Sequence, residues 1–186
     1  MTLRADNTLA YMDQGSHLAL RALKRGPVIQ YTWIYDRGVD LEGLRSFHRN
    51  LHTGLLGRQL ERSVVPFGRH RWVQSSKPEG LDIAIAERSR DEVWDHVEER
   101  VNVPVDPEHG PPWHLGVQPL IGGGAVVTLV VSHTVADAGA LIQAIVGAVS
   151  GTGPGLNYPQ AGSLTRRRAF GRDLRTALSA LREVPA

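Results

Sequence analysis

The sequence predicts an α/β fold, a mixed sheet with flanking helices, and three observations point to it. Val28 to Tyr35 (VIQYTWIY) concentrates β-branched and aromatic residues, a strand signal. Ala125 to Val131 (AVVTLVV) is apolar at both alternating positions, as a central strand covered on two faces should be. Around these runs lie segments with helical spacing, among them Leu41, Leu44, Phe47, His48 and Leu51. A length of 186 residues fits about one domain. A globule of that size buries about 70% of its unfolded surface and needs no cross-links.

Leu9 to Leu23 has loose helical spacing and stops at Gly26-Pro27. After the first strand, Arg37-Gly38 turns the chain and Asp40 stands where a helix N-cap belongs. Gly54 and Gly57 end that helix. Arg58 to Val65 reads as a strand, broken by Pro66 to Gly68 and resumed over His70 to Gln74. Leu81 to Ala86 alternates as a short strand. Ser89 and Glu92 form a capping box that opens a helix through about Val101, with Val93, Trp94, Val97 and Val101 on one face. Asp106 to Pro112 is a loop. Trp113 to Leu120 alternates, which predicts one exposed face, and a hairpin at Ile121 to Gly124 returns the chain into the central strand. A helix from Asp137 to Val149 follows, with Leu141, Ile142, Ile145, Val146 and Val149 on one stripe. The predicted organisation is a lobe over 1–150, a Gly- and Pro-rich linker over 151–162, and a C-terminal helix over 163–186 capped by Ser163.

Composition excludes several classes. Cysteine is absent, so disulfide scaffolds, thiolate zinc sites and cysteine nucleophiles are ruled out. Lys+Arg 21 against Asp+Glu 19 gives a formal +2, which argues against a dedicated nucleic-acid binder. Lys24 and Lys77 are the only lysines, a bias towards arginine that reads as coding bias of the source genome. Residues 87–108 hold eight acids against three arginines, most simply a solvated helix face. Arg166, Arg167 and Arg168 open the last helix, where cations oppose the helix dipole, so they either meet something acidic or are solvated. Ala125 to Val131 is far too short to cross a bilayer. Residues 1–13 show no apolar signal-peptide core, so the expected location is cytoplasmic.

The chemistry concentrates in Val130 to Gly139 (VVSHTVADAG). A histidine follows the carboxyl end of the predicted central strand, where backbone is fixed and side chains face an opening. Such a ring can be held in one tautomer and take a proton through its other nitrogen. Asp137 falls at a helix N-terminus, where capping alone explains it. Other constellations are weaker. His48 and His52 share a helix face but lack a third ligand and read as solvated, so no metal site is expected. Arg69 to Trp72 reads as structural. Gly122 to Gly124 lacks the Lys-Ser/Thr of a phosphate loop, and Ser132 lacks the G-x-S-x-G elbow of a serine hydrolase.

The 130–139 segment resembles the H-H-x-x-x-D-G motif of the CoA-dependent acyltransferase superfamily, which includes chloramphenicol acetyltransferase, condensation domains and wax ester synthase/diacylglycerol acyltransferases. Leu9 to Asp13 (LAYMD), Asp40 to Leu44 (DLEGL) and Leu56-Gly-Arg58 look like the start of such an enzyme. Arg58 to Val73 (RQLERSVVPFGRHRWV) is most similar to actinobacterial wax-ester-synthase-like or condensation-like proteins. The element order matches an N-terminal lobe over roughly residues 5–150. The resemblance implies a chloramphenicol-acetyltransferase-like N-terminal lobe with His133 as general base and Asp137 as a structural, orienting residue. It places Ser132 and Gly139 beside the substrate. It implies no bound cofactor; the co-substrate would be an acyl-CoA or acyl-carrier thioester, and the acceptor a hydroxyl or amine. Ser132 replaces the first motif histidine, and Ala138 stands where the motif has glycine, a strain if that position needs positive φ. Family members have two lobes, so a second lobe or a homodimer is the expected partner. The competing expectation is a catalytically inactive lobe that serves as an interaction or ligand-binding module.

Overall fold

The computed structural model describes residues 7–24, 26–66, 68–75, 80–153 and 156–182. Among the described residues there are five α-helices, α1 (Tyr11–Leu23), α2 (Leu41–Thr53), α3 (Val93–Val101), α4 (Ala138–Ser150) and α5 (Arg166–Arg182). The strands are β1 (Val28–Tyr35), β2 (Arg58–Glu61), β3 (Arg71–Gln74), β4 (Asp82–Ile83), β5 (Trp113–Pro119) and β6 (Ala125–Ser132). The main sheet runs β1-β6-β5-β4. β6 pairs antiparallel with β1 and β5, while β4 joins β5 in parallel, so the sheet is mixed as expected. β2 and β3 form a separate antiparallel pair.

β6 is central and all eight of its residues are buried. Its Val127, Leu129 and Val131 side chains join Trp113, Leu115 and Val117 of β5 in the main core, covered by α2 and α4. Val126 packs on the other face with Val93, Leu120 and Val97, beneath α3. β5 therefore has no exposed face, contrary to the expectation from its alternation. Its Gly116 lacks the side chain that would meet the Arg100 guanidinium: a Cβ there would lie 2.6 Å from Nη2. The gap lets α3 cover this face, where Arg100 reaches His114 Nδ1 at 2.9 Å and Asp82 at 2.7 Å.

Several boundaries differ from the sequence pattern. β2 stops at Glu61 because the Ser63 hydroxyl and the Val64 amide both donate to Asp173 of α5, which pulls the chain off the ladder. β4 keeps only Asp82 and Ile83 of the expected 81–86 strand. Asp137 caps α4 from outside it. α5 starts at Arg166 with the Thr165 carbonyl taking its first amide, so Ser163 is not its cap. The predicted apolar faces are only partly buried: Trp94 of α3 and Val146 and Val149 of α4 are exposed. His48 is not solvated. It is buried, with its ring 4.8 Å from that of Trp113, and the indole N–H of Trp113 donates to Leu56. Arg71 is structural, buried between Glu61 and Asp173. No helix among the described residues is long and apolar enough to cross a membrane.

Candidate functional site

β6 ends at Ser132 and the chain turns over 133–135 before α4 begins. The turn is pinned at both sides. The His133 amide donates to Pro27 at 2.9 Å, and the Val135 amide folds back to Ser132 at 2.9 Å. Thr134, Val135 and Ala136 are buried, so their side chains anchor the loop while those of His133 and Asp137 stay exposed. Among the described residues the His133 ring makes no hydrogen bond, which leaves both nitrogens open to solvent or a ligand. Asp137 accepts from the Ala140 amide at 2.7 Å as the α4 N-cap. Ala138 has no positive φ, so alanine is unstrained where the motif has glycine. Gly139 is exposed, and a Cβ there would find only Asp137 Oδ1 at 3.6 Å, an ordinary contact.

Two residues outside the motif hold this loop, and a third lies within its electrostatic reach. Arg58 of β2 donates to the Val135 carbonyl and to the Tyr158 hydroxyl, with its guanidinium 4.0 Å from the centre of the Trp72 ring. Ser16 of α1 lies 3.2 Å from the Thr134 hydroxyl. Asp13, one turn earlier, is half-buried. Burial pushes its carboxyl up, the Arg58 guanidinium opposes this, Asp137 adds to it and His133 opposes it. Asp13 thus shares the electrostatic field of the motif. The sequence offered LAYMD and LGR as parts of a resemblance but no signal that Ser16 and Arg58 meet one loop, because those contacts close over 118 and 77 residues.

α1 reaches the motif because its far side is clamped. His17 is fully buried, its Nε2 3.4 Å from Glu108, and Arg21 and Arg62 approach the same carboxylate at 3.7 and 3.5 Å. The His17 and His70 rings meet edge to face at 5.5 Å. Burial lowers the pKa of both rings. Among the described residues no three histidine or carboxylate side chains come together so as to hold a metal ion. A cavity of about 220 Å³ reaches Ser132 and is lined by Leu20, Lys24, Pro27, Val28 and Val101. A larger one, about 420 Å³, lies between Trp33, Phe47, Ile145 and Val149. It touches Val127, roughly 17 Å along β6 from Ser132 at strand rise, so it is remote from the motif.

No family model matches the chain, and no curated protein does. Solved structures do. The X-domain from teicoplanin biosynthesis aligns over 100% of this chain and 41% of its own, at 15% identity and a TM-score of 0.65; it also aligns in a complex with OxyB. The starter condensation domain of rhizomide synthetase RzmA aligns over 96% of this chain and 45% of its own, at 13% identity and 0.60. SgcC5 from Streptomyces globisporus aligns over 94% and 43%, at 21% identity and 0.57. The chain thus spans less than half the length of these structures. At such identities the likeness is one of fold alone: the chain has the fold of these condensation-domain and X-domain structures.

Proposed function

We propose that this chain is an acyltransferase-type lobe in which His133 is the general base. The observation that supports this best is the exposed, unbonded His133 ring on a loop pinned at Pro27 and Val135, at the carboxyl end of the central strand. His133 takes the proton of an acceptor hydroxyl or amine. The freed oxygen or nitrogen attacks the carbonyl of an acyl thioester, the carbon–sulfur bond breaks, and the departing thiolate takes the proton back from the imidazolium. Asp137 fixes the start of α4 and so the loop. Ser132, the residue before His133, lines a cavity together with Lys24, and on this reading the acyl thioester or acceptor enters there, although His133 itself is not part of its lining. Gly139 leaves that side of α4 without a side chain. A positioned base contributes about 10²–10⁴ in rate.

The chain spans less than half of the structures it matches, so the wall opposite His133 would come from a second lobe or a second copy. Without that wall a substrate is neither oriented nor shielded, and orientation alone is worth several kcal/mol of barrier. The test is thiol release and acyl transfer from acyl-CoA and carrier-bound thioesters, with this chain alone and with a candidate second lobe. The expected result is transfer only in the complemented mixture, reduced about 10²–10⁴-fold by His133→Ala. Transfer that survives His133→Ala overturns the assignment. The second reading, an inactive interaction module, is favoured by the likeness to a domain seen in complex with OxyB. Absence of transfer under every pairing, with a stable complex formed, supports that reading.

A further inference from the structure

α5 is built inside out. Apart from Ala169, the side it turns to the body is mainly polar: Asp173, 6% exposed, accepts from Ser63 and Val64 and pairs with Arg71, and Arg172 donates to Asn7. The side it turns to solvent holds Phe170, Leu174 and Leu178, 50%, 39% and 51% exposed. Their spacing of four residues sets them on one stripe about 12 Å long. The remaining exposed side chains among its described residues are Arg167, Arg168 and Arg175. An ordinary solvated helix mixes both signs of charge with neutral polar groups, whereas this one shows only cations and large apolar groups. Its natural cover is apolar and acidic.

α3 presents such a surface. Trp94 is 70% exposed and Val101 37%, seven residues apart and therefore on one stripe. Asp95 and Glu98, with Asp91 in the turn just before α3, fringe that stripe; all three are exposed and make no ion pair among the described residues. Three free acids beside an apolar stripe match three arginines beside an apolar stripe of similar length. Within one chain each helix is already held elsewhere, α3 on the Gly116 face of the sheet and α5 against Ser63 and Arg71. We infer that α5 of one copy docks on α3 of a second copy. Each copy carries both surfaces, so two copies either pair reciprocally about a two-fold axis or chain head-to-tail, and the α3–α5 contact is the same in both. Two short helices bury less than the roughly 1,200 Å² of a standard stable interface, so association is weak and grows with concentration. Its exposed charges make it sensitive to salt. The inference is independent of the catalytic reading of His133.

Sedimentation velocity on the full chain at low and high salt tests it, with two charge-reversed variants. One is Arg167→Glu with Arg168→Glu and Arg175→Glu; the other is Asp91→Arg with Asp95→Arg and Glu98→Arg. Circular dichroism checks that each keeps its helices, and Trp94→Ala serves as a milder variant if either unfolds. The expected result is concentration-dependent association of the parent, weakened about tenfold or more by 0.5 M salt. Each reversed variant is monomeric alone, Trp94→Ala associates more weakly than the parent, and mixing the two reversed variants restores association by pairing opposite charges. A parent that stays monomeric overturns the inference, as does association unchanged in the variants. Loss in both variants without rescue on mixing also overturns it, because the contact is then not α3 with α5. So does a monomeric parent that pelts down with phosphatidylglycerol vesicles, which would make the basic stripe a lipid contact.

Discussion

The carboxylate of Asp137 takes the Ala140 amide at 2.7 Å, giving a partner to one of the amides that a helix start leaves unbonded. His133, four residues earlier, is exposed and bonds nothing through its ring among the described residues. The two residues should therefore separate in a stability measurement. Asp137→Ala is expected to cost about 0.5–2 kcal/mol, which lowers Tm by a few degrees for a chain of this size. His133→Ala should leave Tm close to that of the parent. Thermal unfolding followed by circular dichroism checks this, and equal melting temperatures would contradict a structural role for Asp137. At this scale the sequence showed the residues whose meaning is local. His133 and Asp137 follow from where a strand ends and a helix begins. Asp13, Ser16 and Arg58 were not legible as a group, because the contacts of Ser16 and Arg58 with the loop, and the approach of Asp13 to its charges, depend on tertiary folding. The solvated reading of His48 failed for the same reason: only Trp113, 65 positions away, makes its helix face a buried one.

Elements with a one-dimensional signature were legible and those fixed by a distant side chain were not. β1 and β6 cover the residues their composition marked, since a β-branched run leaves the backbone little choice. β2 is cut short by Asp173, more than a hundred residues later, and no local pattern around Val65 records that. The same carboxylate decides how α5 is held. Apart from Ala169, α5 turns mainly polar groups to the body, and Asp173 and Arg71 are each 6% or less exposed at their side chains. Losing the Asp173 carboxylate takes the charged acceptor from the Ser63 hydroxyl and the Val64 amide, at about 1.5–3 kcal/mol for a hydrogen bond to a charged group, while Arg71 stays paired with Glu61. Asp173→Ala is expected to cost that order of stability and to free α5 before the rest unfolds, because Arg71 retains Glu61 and the β2–β3 pair persists. Hydrogen exchange read by mass spectrometry checks this. Faster exchange confined to 166–182 and the neighbouring 62–66 turn is the expected outcome, and unchanged protection of α5 would show that other contacts hold the helix.

Over the whole molecule, six histidines are buried enough for their pKa values to fall: His17, His48, His52, His70, His96 and His114. Burial is the first cause in each. They line the α1 clamp, the α2 face of the core and the α3 face of the sheet, so one change of pH strains all three layers together. The unfolded chain protonates its histidines near the usual 6.5, whereas the folded chain resists. Stability is therefore intact above about pH 6.5 and is lost as pH falls towards the folded values. His114 shows the effect best. Burial first, and then the Arg100 guanidinium, pushes it down to about 4, with Asp82 opposing. Its Nδ1 accepts from Arg100 at 2.9 Å, so a proton there would replace a hydrogen bond with two facing cations. By pH 5 that ring alone removes about 2 kcal/mol, on the basis of 1.36 kcal/mol per pKa unit. Urea unfolding at pH 7.5 and pH 5.0, above most carboxylate titration, should show a clearly lower midpoint in acid. His114→Gln, which stays neutral and can still accept from Arg100, should narrow the gap between the two midpoints. Identical midpoints at both pH values would mean that these rings titrate as freely in the folded chain as in the unfolded one, against the burial that each of them shows.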